Sequence, residues 1–135
     1  MASGWRVGMT DAVDWCAVFV TGVESADALA DLVAAATGGV ADGPAVTTPG
    51  GVEIDVTHNS SNPTFEAEPP DETDFTWWPY IVGLEASESE GVPLVTAILR
   101  SLWGADVAAV AACSFEHRLP RSGGYRDGRL ITSDE

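Results

Sequence analysis

The sequence predicts an α+β domain of two layers, with elements in the order β-α-β-β-α-β. Two runs of small and β-branched apolar residues, 13–23 (VDWCAVFVTGV) and 107–115 (VAAVAACSF), read as strands. Two other stretches carry apolar residues at helical spacing next to cap signals. A strict alternation at 52–57 and an aromatic run at 75–86 supply the remaining strands. At 135 residues the chain reads as one domain. A domain of about 150 residues buries roughly 70% of its unfolded surface, so a core without staples is feasible.

Residues 1–12 form a loose arm in this reading. They carry no apolar core of the kind a secretory leader needs. The first strand is apolar on both faces, with Trp15, Ala17 and Phe19 on one and Cys16, Val18 and Val20 on the other, which suits a central position. Ser25 offers an N-cap and Asp27 an anion in the first turn of a helix over 26–37, and Gly38-Gly39 ends it. Val52, Ile54 and Val56 alternate with Glu53, Asp55 and Thr57, and outward acids suit an edge strand. Residues 58–74 are an acidic, proline-rich loop. In the strand over 75–86, Pro79 cannot donate to a ladder, so a bulge is expected near Trp78-Pro79. Residues 87–91 read as an acidic turn. Pro93 suits the first turn of a second helix, whose apolar face runs from Leu94 to Trp103 and which Gly104 closes. Residues 118–135 are an irregular Gly- and Arg-rich tail, with a short strand at 129–132.

Right-handed crossovers turn this order into a split βαβ, or ferredoxin-like, arrangement. The first and third strands then lie in the centre, and the second and fourth at the edges. The fourth strand is apolar for an edge and needs a cover, for which the C-terminal segment is available. Both helices cover one face of the sheet. The apolar residues of the other face need a tail, a second subunit or a partner.

Charge restricts function more than any motif does. The chain has 21 acidic residues against six basic ones, for a net charge of −15. Residues 1–99 hold 16 of the acids and one arginine, Arg6, whereas 100–135 balance five acids with five arginines. Such a field repels nucleic acid and anionic membrane and steers basic partners inward. No apolar run reaches the roughly 18 residues of a membrane span, and the chain is expected to be cytoplasmic. Without lysine no P-loop is possible, and neither G-x-G-x-x-G nor G-x-S-x-G occurs. Cys16 and Cys113 are far apart and read as small core residues. Cys113 and His117 would converge on a helix but not along a strand, and His58 reads as a loop residue. Asp71, Glu72 and Asp74 lack the fixed ligand offsets of a calcium loop. No catalytic residue, cofactor or metal site is therefore expected.

The acidic loop leads into a cluster of aromatics, and that pairing is the candidate partner surface: Glu66, Glu68, Asp71, Glu72, Asp74, Trp77, Trp78 and Tyr80. Aromatic anchors supply affinity at an interface and acids supply steering. From Phe75 to Pro120 the segments FTWWPYIVGLEA, LRSLWGADV and VAAVAACSFEHRLP carry an aromatic-Pro-Tyr strand and a C-x-F-E-x-x-L-P ending. Over about a third of the chain this resembles small bacterial proteins, some of which look like immunity proteins that neutralise secreted toxins. The resemblance implies a small acidic cytoplasmic binder and assigns no functional residue. The expected function is a protein-binding module, immunity- or inhibitor-type, that caps a basic protein such as a nucleic-acid-cleaving toxin, with DNA mimicry as a variant. Two alternatives remain at this point: a dimeric regulatory or assembly domain that pairs through the open sheet face, and a small ligand-binding domain or enzyme.

Overall fold

A computed structural model of the chain describes residues 13–59, 78–126 and 129–130. Two helices pack on one face of a six-stranded antiparallel sheet, making an α+β domain of two layers. The elements are β1 (Val13–Thr21), α1 (Ala26–Thr37), β2 (Val40–Asp42), β3 (Ala45–Thr47), β4 (Glu53–His58), β5 (Tyr80–Ser87), α2 (Glu88–Gly104) and β6 (Ala108–Ala112). Short 3-10 turns follow at Glu116–Arg118 and Pro120–Gly124, and a two-stranded ribbon joins β7 (Tyr125–Arg126) to β8 (Arg129–Leu130).

The sheet order is β2-β3-β4-β5-β1-β6, which is not the usual ferredoxin-like order. An extra hairpin, β2–β3, lies between α1 and β4 in the chain and extends the sheet beyond β4. The alternating strand expected at an edge is therefore internal, paired with β3 on one side and β5 on the other. Strand β1 is central, paired with β5 from Val13 to Val20 and with β6 on its far side. Its two apolar faces follow from that position.

Local signals set the helix ends. Ser25 Oγ accepts a hydrogen bond from the Ala28 amide at 3.0 Å, and Gly38 at φ 73° closes α1 in the left-handed conformation. Leu29, Ala30 and Val33 are the buried stripe of α1. Helix α2 starts earlier than expected, because Ser87 caps it and its Oγ accepts from the Glu90 amide at 3.3 Å. The acidic turn expected at 87–91 is thus the first turn of this helix. Glu88 and Glu90 there meet the positive end of the helix dipole. Pro93 consequently lies inside the helix and not in its first turn. No bulge forms at Pro79. The chain bends at Trp78-Pro79 and β5 begins one residue later.

The core lies between helices and sheet, where Cys16, Val18 and Val20 of β1 meet Val82 and Leu84 of β5 and the stripes of both helices. The described residues of the region expected to be an irregular tail pack against this body: Leu119 is buried, and Phe115, expected to end the last strand, enters the core just before it. Ser114 Oγ donates to Asp14 Oδ2 at 2.8 Å, and Arg118 pairs with Glu88 at 2.6 Å. The turn at Pro120–Gly124 lies against β6, so close that a Cβ on Gly124 would stand 2.9 Å from the Ala109 carbonyl oxygen. Edge strand β6 is covered in this way, which protects its free edge.

Candidate protein-binding face

The register assigns the outer face of the sheet, opposite the helices. In β1 it carries Trp15, Ala17 and Phe19, because their neighbours Cys16, Val18 and Val20 point into the core. Gly83, Ile81 and Glu85 of β5 share this face, as do Asp55 and Thr57 of β4. Glu53 lies one position beyond the Ile54↔Leu84 pair, level with Glu85. Asp42 of β2 belongs to the same face through the Asp42↔Ala45↔Asp55 row.

Trp15 is the exposed aromatic of this surface, at 55% of its full accessibility. It stands in register with Glu85, and its ring reaches diagonally over Gly83. A Cβ on Gly83 would lie 2.5 Å from Trp15 Cη2 and Cζ2, so only glycine leaves room for the ring. Phe19 and Ile81 are half-buried beside it, and Val110, opposite Phe19, is buried. The outer face therefore grades from apolar at β6 and β1 to acidic at β5, β4 and β2. The four carboxylates Asp42, Glu53, Asp55 and Glu85 share it with no arginine or histidine among the described residues.

The described arginine side chains lie elsewhere. Arg121 stacks over the Trp103 ring, 4.1 Å from its centroid, while Trp103 Nε1 donates to the Ala109 carbonyl at 3.0 Å. Arg100 joins these two residues around a recess of about 280 Å³ at the end of α2. A second, more apolar groove of about 460 Å³ runs between Thr37, Thr48, Val52, Glu90 and Leu94, where the end of α1 meets the start of α2.

Of the residues singled out in the sequence, Glu66, Glu68, Asp71, Glu72, Asp74 and Trp77 lie outside the described residues. Trp78 and Tyr80 do not join Trp15. Trp78 is buried, at 8% exposure, and Tyr80 packs half-buried against the core on the helix side. The exposed aromatic anchor among the described residues is thus Trp15 and not Trp78. Sequence reasoning placed Trp15 on a strand face but gave it no role, because a two-sided apolar strand hides which face stays open. The signal available was its register with Glu85 and Gly83, which needs the strand pairing.

Asn59 gathers the two ends of the acidic segment. Its Nδ2 donates to the Trp78 carbonyl at 2.6 Å, and its amide donates to the Pro79 carbonyl at 2.7 Å. Asn59 is buried, and Asn59→Ala removes this side-chain bond from the interior. Asn59→Ala is expected to lower the unfolding free energy by about 1–3 kcal/mol, measured by urea denaturation.

His58 ends β4 as an exposed residue and is not in a loop. Cys16 is buried in β1 and Cys113 is half-buried after β6, and they form no disulfide. Among the described residues, no group of three or more His, Cys, Asp or Glu side chains is placed to hold a metal ion. No described helix is long and apolar enough to cross a membrane. No protein-family model matches the chain, and no curated protein or solved structure is significantly similar to it.

Proposed function

We propose that this chain is an acidic protein-binding module of the immunity or inhibitor type, which caps a basic protein such as a nucleic-acid-cleaving toxin. The observation that carries this reading is the outer sheet face, where an exposed tryptophan shares one surface with four carboxylates and no basic residue among those described. Tryptophan is a frequent anchor of interface energy, and a one-signed rim raises the encounter rate with a partner of opposite sign. The acids between Glu66 and Asp74 add to the net negative charge and enter the reading as steering charges. A nuclease fits as the partner because its active site is basic in order to hold phosphates.

The same face weakens the dimer reading. A symmetric face-to-face pair centred on the acidic row would set Glu53, Asp55 and Glu85 of one copy against the same row of the other. Like charges brought together this way repel. The finer fold reading that goes with the proposal is a ferredoxin-like domain extended by one hairpin. A cytoplasmic location suits two cysteines that form no disulfide.

The test is capture from native lysate with the tagged chain, washed at low and at high salt and read by mass spectrometry. The expected result is one basic protein retained at low salt and released at high salt, whose own activity falls when the purified chain is added in equal amount. Retention of nothing but further copies of the chain would count against capping.

A further inference from the structure

We propose that Trp15 is the platform of a guanidinium site, onto which the basic partner places an arginine side chain. The inference rests on the protein-binding reading above and names the chemistry of its central contact. Trp15 is half exposed, yet its ring is seated on the backbone at Gly83, so one part is fixed and the rest is open to a ligand. Glu85 faces Trp15 across the β1–β5 ladder, and Asp55 faces Gly83 across β5–β4. Directly opposed residues on one sheet face lie about 4.5–5.5 Å apart, so the register sets Glu85 next to Trp15 and Asp55 next to the glycine beneath its ring. Among the described residues, neither carboxylate is engaged in a hydrogen bond or ion pair.

An open aromatic ring beside two carboxylates that have no partner among the described residues matches a planar cation that both stacks and donates in a fork. Arginine does both, whereas lysine offers a compact, strongly hydrated point charge. Two carboxylates beside the ring also match the several N–H donors of one guanidinium. Charge complementarity thus commits the surface to a basic partner, and ring geometry commits the contact to arginine.

The test compares a capped tetra-arginine peptide with a capped tetra-lysine peptide, titrated into the whole chain at low salt. The readout is the Trp15 indole N–H signal in two-dimensional NMR, assigned by its loss in Trp15→Leu. The expected result is a shift of that signal and binding about tenfold tighter for the arginine peptide, as stacking and bidentate pairing add together. Trp15→Leu is expected to abolish the preference while leaving weak, charge-driven binding of both peptides. Gly83→Ala tests the seat beneath the ring. It is expected to keep the circular dichroism of the fold, because the added methyl meets only the far end of the Trp15 side chain and no backbone, and to reduce the preference by lifting the ring off its seat. Equal affinity for both peptides, or an unmoved Trp15 signal, would overturn the proposal. If a basic protein binds wild type and Trp15→Leu equally well, the capping function stands and the arginine platform fails. If the peptides are discriminated but no basic protein is captured, the platform stands and capping fails.

Discussion

Phe115→Ala is expected to lower the unfolding free energy by about 3–5 kcal/mol, the usual cost of emptying a buried phenylalanine site. Phe115 is 1% exposed and its ring lies directly over α2, where a Cβ on Gly91 would stand 2.6 Å from Cζ. Helix and ring therefore meet through a glycine. Domains of this kind have only about 5–15 kcal/mol in total, so this single change is expected to leave a marginal fold. The residues after β6 follow the ring, because Ser114 and Arg118 on either side of it anchor to Asp14 and Glu88. That ion pair is exposed at both ends and worth about 1 kcal/mol or less, so it cannot hold the segment alone. Gly91→Ala probes the contact from the other side. Overpacking costs about 1–3 kcal/mol against a helix-propensity gain of about 1 kcal/mol, so net destabilisation is expected. Chemical denaturation of the two variants measures both effects, and proteolysis near residue 120 is expected to quicken first in Phe115→Ala.

Neutralising the carboxylate row is expected to act on binding and not on folding. In the variant Glu53→Gln, Asp55→Asn, Glu85→Gln, association with the captured basic protein is expected to slow about tenfold or more at low salt, since steering by a charged face accelerates encounter by about 10–10³. The difference is expected to shrink as salt is raised, because screening removes the same field that the substitutions remove. Stability is expected to hold or rise by a few tenths of a kcal/mol, since like charges opposed on a sheet face are unfavourable. Stopped-flow association at two ionic strengths and a denaturation curve measure the two sides. A slower rate together with an unfolded variant would show that the row serves the fold.

Where a single residue type decides the backbone, the sequence could be read directly. Helix α1 shows this: Ser25, the stripe of Leu29 and Val33, and Gly38 carry its start, face and end. Strand β1 was readable for the same kind of reason, since apolar residues on both sides demand neighbours on both sides. Hairpin β2–β3 was not readable. Its strands are three residues each, with only Ala41 and Val46 turned inward, which is too short for an alternation, and Gly43-Pro44 read as a break between elements. Missing it placed β4 at an edge. The start of α2 was obscured because Ser-Glu-Ser-Glu-Gly is equally good as a turn, and the cap at Ser87 emerges only once Glu90 bonds back to it. The tail was misjudged because a lone Leu119 shows no period, although it is buried. For the site, the acidity was legible, but its organisation was not. Trp78 and Trp15 are equally aromatic in sequence, and only strand pairing distinguishes the one that is buried from the one that stands open over Gly83.

The most direct measurement is capture of the basic partner by the wild-type chain and, in parallel, by a variant with Trp15→Leu and the three carboxylate substitutions together. The account predicts that the wild type retains the partner at low salt and that the variant, folded by circular dichroism, retains little of it. Equal retention by a folded variant would contradict the outer sheet face as the binding surface.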